Sequence, residues 1–183
     1  MHRDDLRKKL LAYHPVDLEE IKAREMILAF VEREPNCFER SCQEGHITGS
    51  AWLENYSGDR FLLTFHRKLQ RWFQVGGHAD GDSNVLNVAL KEAKEESGLK
   101  SIEPVSTDIF DLSVHKYIGK DTQEHYHYDV RFFLKAVDPQ ESIQISEESI
   151  DVRWFDKVPD EESFELVRMF NKWRSWHQAS DKR

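Results

Sequence analysis

The stretch that most restricts how this chain can fold is Gly76-Gly77-His78-Ala79-Asp80-Gly81-Asp82 and the run 83–99 behind it, ending Lys91-Glu92-Ala93-Lys94-Glu95-Glu96-Ser97-Gly98-Leu99. A glycine-rich loop feeds an acidic helix. At the helical period Leu86, Ala89, Leu90 and Ala93 form one apolar stripe, with Asn87, Lys91 and Lys94 opposite. Glu92, Glu95 and Glu96 are three and four residues apart and share the border between those faces. Like charges so placed weaken an isolated helix by roughly 0.2–0.5 kcal/mol per pair, so a helix shaped for stability alone would alternate its signs. A solvated charged face is the bland reading of such a run. The other reading puts a cation among the carboxylates, and oxygen donors of this hardness suit Mg²⁺, with Mn²⁺ as the second candidate. Asp82, Ser83 or Asn84 can cap the start of the helix, and Gly98 has the position of a helix stop.

The rest of the chain supplies the frame. Its 183 residues, 39% hydrophobic and 11% aromatic, point to one globular domain with a proper core and a short appendage. The formal net charge of −8 argues against a nucleic-acid duplex as partner, because such affinity rests on clustered Lys and Arg. No apolar run approaches the roughly 20 residues of a membrane span, and the first residues lack a signal-peptide core, so the expectation is a cytoplasmic protein without a membrane partner. Cys37 and Cys42 match neither a redox pair nor a complete zinc site and read as reduced, partly buried thiols.

Helices are expected over 6–13 and 17–33, with Pro15 between them and Asp17 as a cap. They form an N-terminal extension, 1–44, acting as lid, brace or dimer contact; the main domain is 45–183. Strands are expected at 45–55 and 61–67 as a hairpin, at 71–75, over 105–118, over 126–137 and at 150–155. Tyr126, Tyr128, Val130, Phe132 and Leu134 share one face of the fifth, and His127, Asp129 and Arg131 the other. A C-terminal helix opens at Pro159-Asp160, its inner side carrying Phe164, Val167, Phe170 and Trp173. This order suggests an α/β sandwich with a mixed sheet.

In its register of Gly77, Glu92, Glu95, Glu96, Gly98 and Leu99, behind a strand and a glycine loop, the central stretch resembles the Nudix box of the Nudix hydrolases. Ser83 stands where that pattern has Glu, and Lys91 where it has Arg; Asp82 with Lys91 is the expected substitute pair bracing the loop. Gln74 to Asp82, the segment His125-Tyr126-His127-Tyr128-Asp129, and Glu147-Glu148-Ser149 before Trp154-Phe155 resemble a bacterial branch with a GGHADGD-type loop. The resemblance implies the Nudix α/β/α sandwich over roughly 45–176. It also implies a Mg²⁺-dependent hydrolase that cleaves the diphosphate of a nucleoside diphosphate linked to another moiety, and relatives that are often homodimers.

By the same resemblance Glu92, Glu96 and the Gly77 carbonyl ligate metal, while Glu95 ligates or helps orient and deprotonate the water. Glu92, Glu95 and Glu148 are the catalytic candidates, Glu148 as a loop carboxylate serving as base, although 147–148 reads equally as a solvated acidic turn. Arg67, Lys68, Arg71 and Arg131 are candidate phosphate partners, each also readable as a surface charge. His78 and His127 are substrate-binding candidates. His115, His125 and His127 invite a transition-metal reading, but a lone His-x-His pair without a full ligand set favours pocket lining. Trp52, Trp72, Phe73 and Tyr126 could stack on a base and read more readily as core. Two other classes are a catalytically silent nucleotide-sensing or protein-interaction module on the same fold, motivated by Ser83 and Lys91, and an isomerase, for which no cysteine and glutamate pair is recognisable.

Overall fold

In the computed structural model, which describes residues 2–118, 124–145, 149–159 and 163–180, helices cover both faces of one mixed sheet. The helices are α1 (Asp4–Ala12), α2 (Leu18–Arg33), α3 (Val85–Ser97) and α4 (Phe164–Ser180). The strands are β1 (Gly45–Glu54), β2 (Phe61–His66), β3 (Trp72–Phe73), β4 (Val75–His78), β5 (Ile102–Tyr117), β6 (His125–Ala136) and β7 (Ser149–Phe155). The sheet runs β3-β2-β1-β6-β5, with β4 also on β1 and β7 also on β2.

β1 is the hub. Along one edge it pairs in parallel with β6, Gly45 opposite Tyr126 through Glu54 opposite Lys135. Its other edge is shared: Glu54 pairs with Phe61 of β2, and Thr48 to Ala51 pair with β4. The single strand expected at 71–75 is therefore two, interrupted at Gln74: β3 stays on β2 while β4 crosses to β1.

Strand alternation sorts β1 between two cores. Ile47, Ala51 and Leu53 join a cluster built with α1, α2 and α3, including Leu6, Leu10, Ile27, Phe30, Ala89 and Ala93. Trp52 faces the other way, into a cluster with Phe61, Leu63, Phe133, Leu166, Met169 and Trp173. The N-terminal helices thus share the main core, with Phe30 stacked on Tyr128 at 4.1 Å. Asp17 caps α2 as expected, accepting from the Glu20 amide at 2.8 Å. α4 begins at Phe164 and buries Leu166, Met169 and Trp173; Phe164, expected inside, is 58% exposed. Val167 and Phe170, also expected inside, are half-buried, while Trp173 is buried as expected, edge-on to Phe61 with ring centroids 5.5 Å apart. Among the described residues no helix is long and apolar enough to cross a membrane. Both cysteines are free thiols, Cys37 buried and Cys42 half-buried.

Candidate functional site

α3 is held at both ends as its sequence requires. The Asn84 side chain accepts from the Asn87 amide at 3.2 Å, and Gly98 takes φ +72°, a left-handed conformation that glycine adopts without a Cβ penalty. Val85, Val88, Ala89, Ala93 and Ser97 form the buried line, and Leu86 and Leu90 flank it half-buried. The helix lies close on the sheet because β1 has a glycine there: a Cβ on Gly49 would stand 2.8 Å from the Val85 carbonyl oxygen.

This placement separates the three carboxylates that share one border in sequence. Glu92 and Glu96, one turn apart, turn toward β4. The Gly76 amide donates to Glu96 Oε1 at 2.7 Å. A Cβ on Gly77 would stand 2.4 Å from Glu92 Oε2, so any other residue here would drive that carboxylate away. The Glu92 side chain is 16% exposed and that of Glu95 59%, so Glu95 points outward. Two half-enclosed carboxylates and a glycine strand leave a cradle of oxygen donors, whose chemistry fits a hard divalent cation such as Mg²⁺.

Lys91 Nζ lies 3.4 Å from Glu92 and 3.7 Å from Glu95, on a side chain 58% exposed. The two glutamates raise its pKa. Lys91 is thus committed to the acidic helix; Asp82, its expected partner, accepts from the Asn84 amide instead. Loop support comes from outside the motif. Arg40 makes a forked contact with Asp80, Nη2 to Oδ2 at 2.7 Å, and the Gly81 amide donates to the Phe38 carbonyl at 3.0 Å. The hydrogen bonds from Arg40 hold the Asp80 carboxyl below its usual range. Asp80 has φ +50°, a conformation uncommon outside glycine, and this ion pair fixes it. Sequence inspection missed Arg40 because it lies 40 positions before Asp80 in the chain.

Arg131, a candidate phosphate partner in the sequence, is fully buried. Its Nε donates to Asp129 at 2.7 Å, Nη1 to Asp111 at 3.0 Å and Nη2 to Glu165 at 2.5 Å. Asp111 also accepts from Arg168 at 2.8 and 2.9 Å and from Lys172 at 2.9 Å. Lys172 reaches Glu20 of α2 as well, and Thr48 and Ser50 donate to Asp129 at 2.8 and 2.7 Å. All three guanidinium nitrogens donate into this network beneath α4, so Arg131 stands as a buried structural cation where an exposed phosphate partner was expected. Arg67 and Arg71 are exposed at the β2–β3 turn, Arg67 donating to the Ser149 carbonyl at 3.0 Å. Glu147 and Glu148 lie outside the described residues. Trp52 is core, stacked on Phe61 at 4.3 Å. His78 and His127 lie on the α4 side of the sheet, their rings 5.0 Å apart.

A family model described as NUDIX domain matches residues 44–178. Among solved structures, an Ap4A hydrolase binary complex from C. elegans is 18% identical, with a TM-score of 0.58 over 73% of this chain and 98% of that one. A hydrolase of the NUDIX family from Clostridium perfringens is 20% identical, with a TM-score of 0.51 over 72% of this chain and 97% of that one. At such identity the likeness speaks for the fold. No curated protein matches the sequence.

Proposed function

Because the chain belongs to the Nudix family, we propose that it is a Mg²⁺-dependent pyrophosphohydrolase cleaving the diphosphate linkage of a nucleoside diphosphate joined to another moiety. The observation that carries this reading is the convergence of Glu92 and Glu96 on the side-chain-free strand Gly76-Gly77. A diphosphate resists hydrolysis because its negative charge repels the nucleophile and a poor leaving group must depart. A divalent ion held there neutralises charge on the phosphoryl oxygens and lowers the pKa of bound water.

The residues divide the remaining work. Glu92 and Glu96 supply ligand oxygens, and Gly77 supplies backbone oxygen at a point no side chain obstructs. The Gly76 amide fixes the Glu96 carboxylate, so its orientation is set before substrate arrives. Glu95, exposed on the next helical position, is placed to accept a proton from the attacking water or to complete the ligand set. Arg67 and Arg71 are the candidates for holding the phosphate that departs. His78 adjoins the glycine strand and is a candidate for substrate contact.

Incubation with nucleotide sugars, ADP-ribose, dinucleoside polyphosphates and nucleoside triphosphates, with and without Mg²⁺, tests the proposal. Metal-dependent release of a phosphomonoester is the expected result; absence of turnover on every diphosphate would remove it. Lys91 against Glu92 and Glu95 favours one other reading, a nucleotide-sensing module without turnover. Tight nucleotide binding with undetectable hydrolysis identifies that case.

A further inference from the structure

Apart from the carboxylate cradle, the α4 side of the sheet carries a group of histidines. Parallel pairing sets His46 of β1 opposite His127 of β6, and antiparallel pairing sets His115 of β5 against the same residue. His125, two residues before His127, projects from the same face. The rings of His46, His125 and His127 form a nearly equilateral triangle with centroid separations of 4.9, 5.0 and 5.1 Å. One ring nitrogen from each of the three lies within 4.8 Å of the other two.

His46 is the telling member. It is 4% exposed, and neither ring nitrogen has a hydrogen-bond partner. A buried polar group left in that state retains its desolvation cost without compensation, and native structures seldom keep one without a reason. His125 Nε2 and His127 Nε2 are 3.1 Å apart. Nitrogens sharing one tetrahedral zinc at about 2.0–2.1 Å stand about 3.3 Å apart, so two of the three are already spaced as ligands. Rotation about the soft χ2 torsion of histidine brings in the third.

We propose that His46, His125 and His127 form a binding site for a borderline first-row transition-metal ion, with Zn²⁺ the reference case, separate from the carboxylate cradle of α3. Neutral imidazoles select Zn²⁺, Cu²⁺ or Ni²⁺ over Mg²⁺, and the cradle's hard oxygens have the opposite preference. Burial, reinforced by the neighbouring imidazoles, depresses His46 to about 4 and His127 to about 3, so both are in the unprotonated, ligating form at neutral pH. His78 adjoins the group, its ring 4.9 Å from that of His46. The two sites back onto one strand: β4 presents Gly77 to α3 and, one residue on, His78 to the histidines.

The full chain, stripped of metal by chelation, is titrated first with Co²⁺ alone and then with Zn²⁺, both in excess Mg²⁺ to occupy the oxygen cradle. One equivalent with the visible spectrum of low-coordinate, nitrogen-ligated Co²⁺, displaced by Zn²⁺, is expected. His125→Gln and His127→Gln are expected to weaken binding by more than the roughly 100-fold cost of losing an outer-shell partner. Glu92→Gln leaves it unchanged. His125 is half-buried at the start of β6, so its variant tests the ligand with least disturbance of the sheet, and far-UV circular dichroism checks folding of each. Equal Zn²⁺ retention by wild type and His125→Gln, absence of retention in the wild type, or loss of the site in Glu92→Gln would each overturn the proposal.

Discussion

The acidic edge of α3 and the network beneath α4 are both built on carboxylates, and they handle charge in opposite ways. Asp111 and Asp129 are buried, and Arg131, Arg168 and Lys172 answer them with directed hydrogen bonds. Glu92 and Glu95 lie near the exposed ammonium of Lys91, and Glu96 accepts from a backbone amide. Where water is excluded an unpaired charge is prohibitively costly, so the chain brings its own cations. Where the edge stays open to solvent, carboxylates can wait for a cation from outside. Carboxylates gathered beside a glycine strand at a solvent-facing edge mark function, and carboxylates answered by buried cations mark architecture.

The sharpest way to break that contrast is to remove one cation from the saturated region. Arg131→Met leaves Asp111 and Asp129 buried with incomplete partners, and a loss of about 3–5 kcal/mol in unfolding free energy is expected from urea denaturation. If stability changed by less than about 1 kcal/mol, the network would not be the structural feature described. The complementary change is Glu96→Gln. It keeps the shape and the Gly76 hydrogen bond, so stability should stay within about 1 kcal/mol of wild type, while kcat falls roughly 10²–10³-fold, about 3–4 kcal/mol at the barrier. Turnover equal to wild type would place the metal elsewhere.

The same contrast has a pH signature. Burial pushes the Asp111 carboxyl up, but hydrogen bonds from Arg168 and the charges of Arg131 and Lys172 outweigh it and hold the group at about 2, below its ordinary 3.8. The groups facing it are those three cations, with Glu20 and Glu165 sharing them from α2 and α4. The native state therefore binds fewer protons than the unfolded chain between those two values. Stability from this group is complete above about pH 4 and lost as pH falls toward 2, in total roughly 2 kcal/mol. Denaturation at stepped pH should show this slope, reduced in Asp111→Asn; an identical slope in that variant would assign the acid sensitivity to other groups.

How far this contrast could be read from sequence depends on how far apart in the chain its parts lie. α3 was legible as an element because its apolar spacing, its carboxylates and its Gly98 stop fall within a few helical turns; its packing set the details, turning Val85 and Val88 inward beside Ala89 and Ala93 and leaving Leu86 and Leu90 at the flank. The hub strand and the terminal helix were legible as elements for the same reason. Arg131 was misread because an alternating polar face looks the same whether it lines a cleft or lies under a helix; Asp111, Arg168 and Lys172 are 20 to 41 positions away in sequence. His46 was not singled out because its relation to His127 exists only in the register of a parallel pair, which no local pattern encodes. The break at Gln74 was hidden likewise: both halves of the segment look extended, and only the change of partner from β2 to β1 separates them.

Arg40 carries the smallest expected effect and tests where the loop draws its support. Its pair with Asp80 is solvent-exposed, with side chains 59% and 43% accessible, so Arg40→Ala should cost no more than about 1 kcal/mol of stability. Its consequence lies elsewhere. Asp80 holds a positive φ one residue before Gly81, and Gly81 is tied to Phe38, so the fork of Arg40 keeps the Gly76-to-Asp82 loop in register with the segment after α2. A looser loop presents Gly77 less often in the geometry a bound diphosphate needs, which should raise KM for diphosphate substrate a few-fold and leave the Mg²⁺ requirement intact. Arg40→Lys keeps the charge but loses the planar fork, and should recover only part of the effect. Full recovery by lysine would mean that long-range charge, and not the two-pronged contact, steadies the loop. An unchanged KM in Arg40→Ala would return the task of bracing to residues within the motif.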